Sequence, residues 1–297
     1  MSTFALKLIA VISMLIDHGG YILCLCGLTG GSTYTLLRAL GRPSFIIFCF
    51  LIVIGSEKTH DAKRYFSRLT LFALISQIPF TLAFSFSNYN FGTYPLSALS
   101  FEMPDALTLL LSVFIAAVYF FLVCGHRFDT SFIWLLLALI LPHVRLNLWG
   151  YVLLSGDMSV FYTLAVSLAL IITTDHFITA CKKRDNLVKN SLLLLAALSA
   201  VYIFRNSCDY GYKGFVLIFA LWLFRSNRNL QVVAAIIWCI VLYWFSYQQL
   251  LYTALAIFGA LLLLAYNGKR GANMRGFYYV YPVHLLIFSL LGIMVTH

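Results

Sequence analysis

Asp17 and His18 stand side by side in an otherwise apolar stretch, residues 7–19, preceded by one cation, Lys7. An ionisable group at mid-depth in hydrocarbon costs several kcal/mol unless it faces a polar interior, so the pair marks a functional site. Imidazole takes up and releases protons near neutral pH, and it can also carry an acyl group. His18 lies eleven residues beyond Lys7, about 16 Å along a helix and roughly half of a ~30 Å hydrocarbon core. With Lys7 at one membrane face, His18 falls near the midplane. Asp17 is about 100° around the helix from His18, so the two are not expected to face each other and each needs its own partner. Arg42 is the expected partner of Asp17, because a buried carboxylate is usually paired. His284, in the YPVHL stretch of the last apolar run, is a second intramembrane histidine. A purely structural reading stays open for all three, as hydrogen bonders between packed helices. His60, His126, His143 and His176 fall in or near loops. There is no P-loop, nucleophile elbow, HExxH or strand-borne GxGxxG.

The elements that position these groups follow from composition. Of the 297 residues 62% are hydrophobic and 10% charged, with mean hydropathy +0.92. A soluble globule carries about 25% charged residues, so this is an all-α polytopic integral membrane protein. Apolar runs of spanning length cover residues 6–28, 38–56, 67–86, 105–124, 131–153, 158–178, 189–204, 212–225, 230–246, 248–266 and 277–296. That is about eleven helices, with ten possible, in a single domain over 1–297. The first run lacks a small-residue cleavage site and is expected to stay in the protein.

The net charge of +10 reflects loop bias and no nucleic-acid partner. With the N-terminus cytoplasmic, only Arg38, Arg42, Arg145, Arg205 and Lys213 among the twenty Lys and Arg fall outside. The last helix then ends outside; an even count would return it to the cytoplasm. Two inner loops, 57–68 and 181–189, are rich in cations. Lys63, Arg64 and Arg68 could dock a polyphosphate or serve only as a topology signal. The outer loop 88–105 has no Lys or Arg and ends in Glu102 and Asp105; it is a candidate lid or a connector. Asp157 and Asp209 each precede an outer helix start, where capping is sufficient reason for them. The seven cysteines show no metal spacing and read as small apolar residues, with a Cys208 link to Cys24 or Cys26 as the alternative.

The blocks MLIDHG (14–19), LGRPSFIIFCFLIVIG (40–55), RLTLFALISQIP (68–79), DYGYKG (209–214), YNGKRG (266–271) and YYVYPVHL (278–285) occur in this order along nearly the whole chain. Together they resemble the TraX family, whose type member is a conjugative pilin acetylase. The first helix also resembles the wider class of membrane acyltransferases that modify cell-surface sugars, in which a basic residue and a catalytic histidine are separated by ten residues. Lys7 and His18 have that spacing. The resemblance implies an acetyl-CoA-dependent N-acetyltransferase of the bacterial cytoplasmic membrane with His18 as general base, Asp17 beside it and no metal. It further implies that Lys7, Lys63, Arg64 and Arg68 hold the acetyl-CoA phosphates. Arg42, Glu102, Asp105, Asp209 and His284 are then expected to face an amine acceptor: a pilin-like peptide N-terminus, an amino sugar or a small exported amine. The alternative is a proton-coupled transporter or flippase with Asp17 and His18 as its proton relay.

Overall fold

Backbone amides and carbonyls in hydrocarbon must be satisfied within their own segment, so long apolar runs fold as helices. A computed structural model describes residues 1–84, 114, 131–140, 158–273 and 276–296, and the named elements within them are all helical. They are α1 (Thr3–Leu25), α2 (Gly31–Lys58), α3 (Ala62–Phe84), α4 (Ser131–Ile140), α5 (Val160–Lys183), α6 (Leu187–Phe204), α7 (Gly211–Leu223), α8 (Arg228–Cys239), α9 (Leu250–Leu262) and α10 (Phe277–Thr296). A π-helical segment, Ile240–Ser246, continues α8, and a 3-10 turn, Leu263–Ala265, continues α9. The run expected at 105–124, the loop 88–105 with Glu102 and Asp105, and residues 141–157 with His143, Arg145 and Asp157 lie outside the described residues. So do His126 and Arg127.

Thr3–Leu25, Gly31–Lys58, Val160–Lys183, Leu187–Phe204 and Arg228–Ser246 are long and apolar enough to cross a membrane. On α6, Val188, Leu192, Leu195, Leu198 and Tyr202 follow one another at three- and four-residue steps and are all exposed. An unpartnered apolar stripe of that length is costly in water and suits lipid. The chain is a helical membrane protein.

Two compact units can be distinguished. The first comprises Met1–Ile54, Leu82–Ala98 and Val216–His297. Here α1 and α2 pack antiparallel at a distance that only small residues allow. A Cβ on Gly20 would fall 2.6 Å from Leu37 Cβ, and one on Gly41 would fall 2.2 Å from Asp17 Cβ. Ser13 donates to the Leu40 carbonyl at the same seam. α10 packs parallel to α1: Lys7 sits over the Phe277 ring, and Cys26 Sγ donates to the Gly292 carbonyl at 3.8 Å. The segment after α9 is fastened to the start of α1, since Thr3 N–H donates to Lys269 O at 2.9 Å and Phe4 N–H to Arg270 O at 3.1 Å. That turn uses left-handed backbone at Gly268 (φ +76) and Gly271 (φ +72), where a side chain would be strained.

The second unit comprises Gly55–Thr81 and Leu99–Phe215. In it α5 and α6 form a hairpin whose turn carries Arg184 and Asn186 at φ 54 and 51. Met158 and Cys208 form an isolated bridge, with Asp209 N–H donating to Met158 O at 2.8 Å. Gln77 of α3 accepts from Ser159 N–H ahead of α5 at 2.9 Å. All six described cysteines are free, so Cys208 is not linked to Cys24 or Cys26.

Candidate active site

The site lies in the first unit, where α1, α2 and α10 meet. α1 brings His18 within 2.7 Å of His284 on α10, Nδ1 to Nε2, with the ring planes 9° apart. His284 Nδ1 in turn lies 2.7 Å from the Val280 carbonyl one turn back. A carbonyl only accepts, so His284 Nδ1 carries a hydrogen and, in the neutral ring, Nε2 holds the lone pair. His18 Nδ1 must then donate to it. The consequence reaches the far side of His18: its Nε2 is left with a lone pair, the form that a general base requires.

Aromatic rings fix both imidazoles. Phe84 meets His18 edge-on at 5.2 Å between centroids and Tyr281 at 6.1 Å, while Tyr281 and Phe288 each lie 5.6 Å from His284. His284 is buried, and the His18 side chain retains 12% of its exposure. The second intramembrane histidine, expected either on the acceptor side or as a hydrogen bonder between packed helices, is thus the partner of His18.

Asp17 is held from the other side by α2. Arg38 and Arg42 are four residues apart and project on one helix face. Arg38 Nη1 donates to Asp17 Oδ2 at 2.8 Å and more weakly to the Asp17 carbonyl at 3.4 Å, and Arg42 Nη2 donates to Asp17 Oδ1. Gly41 leaves the space into which the carboxylate fits. Arg42 Nε donates to the Arg38 carbonyl, and its guanidinium lies 5.2 Å from the Tyr252 ring and 5.9 Å from that of Tyr243, which the π-helical segment carries. Arg38 lies over Tyr21 at 5.3 Å.

The pairing of Arg42 with Asp17 matches expectation. The separation of Asp17 from His18 does not: Asp17 Oδ2 lies 4.0 Å from His18 Nε2. Adjacent residues diverge at Cβ, but a carboxylate pulled toward α2 and a ring pulled toward α10 still leave these two atoms within reach of each other. Sequence reasoning gave Arg38 no role in the site, although its i,i+4 spacing from Arg42 was a usable signal. Arg42 and His284, expected on the acceptor side, are both buried here as partners of Asp17 and His18.

The other expected residues are more dispersed. Lys7 lies three turns below His18 on nearly the same face of α1, its Nζ 4.6 Å from the Phe277 centroid. Lys63, Arg64 and Arg68 belong to the second unit and are exposed at the start of α3, where Arg64 pairs with Asp61 at 3.1 Å. Asp209 also belongs to the second unit, and its carbonyl accepts from Thr163 Oγ1. Glu102 and Asp105 lie outside the described residues. The assembled part is therefore a base, His18, oriented by a second imidazole and standing beside a carboxylate that two guanidiniums hold.

A family model described as TraX protein matches residues 2–163 and 151–292. The probable fimbrial assembly protein FimC, serogroup H1, of Dichelobacter nodosus is 26% identical over 301 residues, which cover 96% of this chain and 93% of that protein. No solved structure matches.

Proposed function

The chain belongs to the TraX family, and from that premise we propose that it is a membrane acetyltransferase moving an acetyl group from cytosolic acetyl-CoA to an amine outside the cytoplasmic membrane. The observation that carries this reading is the hydrogen-bond chain Val280–His284–His18, which supports a basic Nε2 in the first helix. In the reaction the acceptor nitrogen attacks the thioester carbonyl while His18 Nε2 takes its proton. Collapse of the tetrahedral intermediate expels the thiolate, which recovers that proton from Nε2. Asp17, 4.0 Å from Nε2, is itself paired with Arg38 and Arg42 and holds both guanidiniums beside the base.

The donor's phosphates bind at the Lys7 end of α1, and the acyl arm runs up the helix face that Lys7 shares with His18; Lys63, Arg64 and Arg68 stay candidate phosphate contacts on the strength of the sequence alone. Glu102, Asp105 and Asp209 attract the acceptor in its ammonium form, which gives up one proton to water before the neutral amine attacks. The fimbrial assembly role in the relative's name favours a pilin-like peptide N-terminus among the possible amines.

The test is transfer of label from acetyl-CoA to a peptide with a free α-amine by the purified protein. His18→Ala should lower transfer by about 10²–10⁴-fold while acetyl-CoA still binds. Retained turnover would exclude His18 as the base. Proton-driven flux with no acetyl transfer would favour the transporter reading instead.

A further inference from the structure

Asp17 uses one edge of Arg38 and leaves the rest of the guanidinium unused. Arg38 Nη1 serves both Asp17 contacts, whereas Nε and Nη2 have no acceptor among the described residues. Arg38 is part-buried, and a fixed, half-used guanidinium suits an anion. Arg38 is also the more accessible of the two arginines, its side chain 20% exposed against 10% for Arg42. Its orientation is set in advance by Asp17 and by the Tyr21 ring.

Its place relative to the base is given by a shared atom. Asp17 Oδ2 is 2.8 Å from Arg38 Nη1 and 4.0 Å from His18 Nε2, so the donor and the base flank one carboxylate oxygen. A carboxylate alone would repel negative charge forming nearby. Two guanidiniums on one carboxylate reverse that sign, and Asp17 is the sole acidic side chain in the sequence of this unit.

We infer that Arg38 is a catalytic residue that donates to the oxyanion of the acyl-transfer intermediate. This rests on the acetyltransferase reading. When the acceptor nitrogen bonds to the thioester carbon, the C=O π pair moves onto oxygen and the amine proton passes to His18 Nε2. An Arg38 N–H donates to that oxygen. When the C=O bond re-forms, the C–S bond breaks and the thiolate takes the proton back. Removing one such donor typically lowers kcat by about 10²–10³-fold.

The experiment compares wild type, Arg38→Ala and Arg38→Lys in detergent, with acetyl-CoA and a short free-amine peptide, alongside thermal melts. The expected result is a kcat for Arg38→Ala reduced about 10²–10³-fold, KM for acetyl-CoA changed less than about threefold, and partial recovery on adding guanidinium. Arg38→Lys keeps a cation for Asp17 and covers the case in which the alanine variant does not fold. Its kcat should still fall at least about tenfold at an unchanged melting midpoint, because an ammonium lacks the planar fork. An active wild type with an undiminished Arg38→Lys overturns the role of Arg38 and leaves the acetyltransferase reading standing. A wild type that transfers no acetyl group overturns both.

Discussion

His284 acts on His18 through hydrogen-bond direction, and this can be separated from simple packing. In His284→Gln the side-chain oxygen can accept from His18 Nδ1–H while the amide N–H donates to Val280 O, which preserves the direction of the chain. His284→Ala removes it and frees His18 to adopt the other tautomer. We therefore expect kcat to fall about 10–100-fold in the alanine variant and only a few-fold in the glutamine variant. Equal losses in steady-state kinetics would show that His284 merely fills space. His18 and Asp17 were legible in the sequence because polarity inside an apolar run is itself a signal. The 2.7 Å contact with His284 was not, since it joins residues 266 positions apart and helix spacing carries no record of which helix lies opposite.

At the scale of the helices, the site depends on how closely α2 approaches α1. Gly41 stands between Arg38 and Arg42, where an added methyl would meet Asp17 Cβ at 2.2 Å, and its backbone is helical, so crowding alone opposes substitution. Gly41→Ala should lower stability by about 1–3 kcal/mol and reduce acetyl transfer as Asp17 is displaced. Gly30→Ala, with nothing within 4 Å, should stay within about 0.5 kcal/mol of wild type. Unfolding in detergent monitored by circular dichroism measures both; similar stability for the two would remove the close-approach explanation. The apolar runs marked the helices well, and α6 and α10 end where expected. α2 begins at Gly31 rather than 38, because small and polar residues at its start add helical turns that hydropathy does not register. Pro43 does not end α2, and nothing in the apolar pattern marked the π-helical segment that carries Tyr243.

For the whole molecule, the parallel packing of α1 and α10 constrains topology. The starts of α1 and α10 lie at one end of the pair and their last turns at the other, so if both helices span, the start of α1 and the end of α10 fall on opposite faces. The segment at Lys269 and Arg270 is hydrogen-bonded to Thr3 and Phe4 and must share their face. Lys7, Arg228, Lys269 and Arg270 belong to this end: Arg228 lies over the Phe50 and Tyr266 rings, and Tyr266 lies 3.2 Å from Thr3 through its hydroxyl. The positive-inside rule predicts that this end is the cytoplasmic one. In a background without native cysteines, Lys269→Cys should react with a membrane-impermeant maleimide only in inside-out vesicles. Leu28→Cys, just beyond the opposite end of α1 and exposed, should react only in right-side-out vesicles. If both react from one side, α1 does not cross, and His18 loses the mid-depth position that would let it reach a cytosolic thioester and an external amine together.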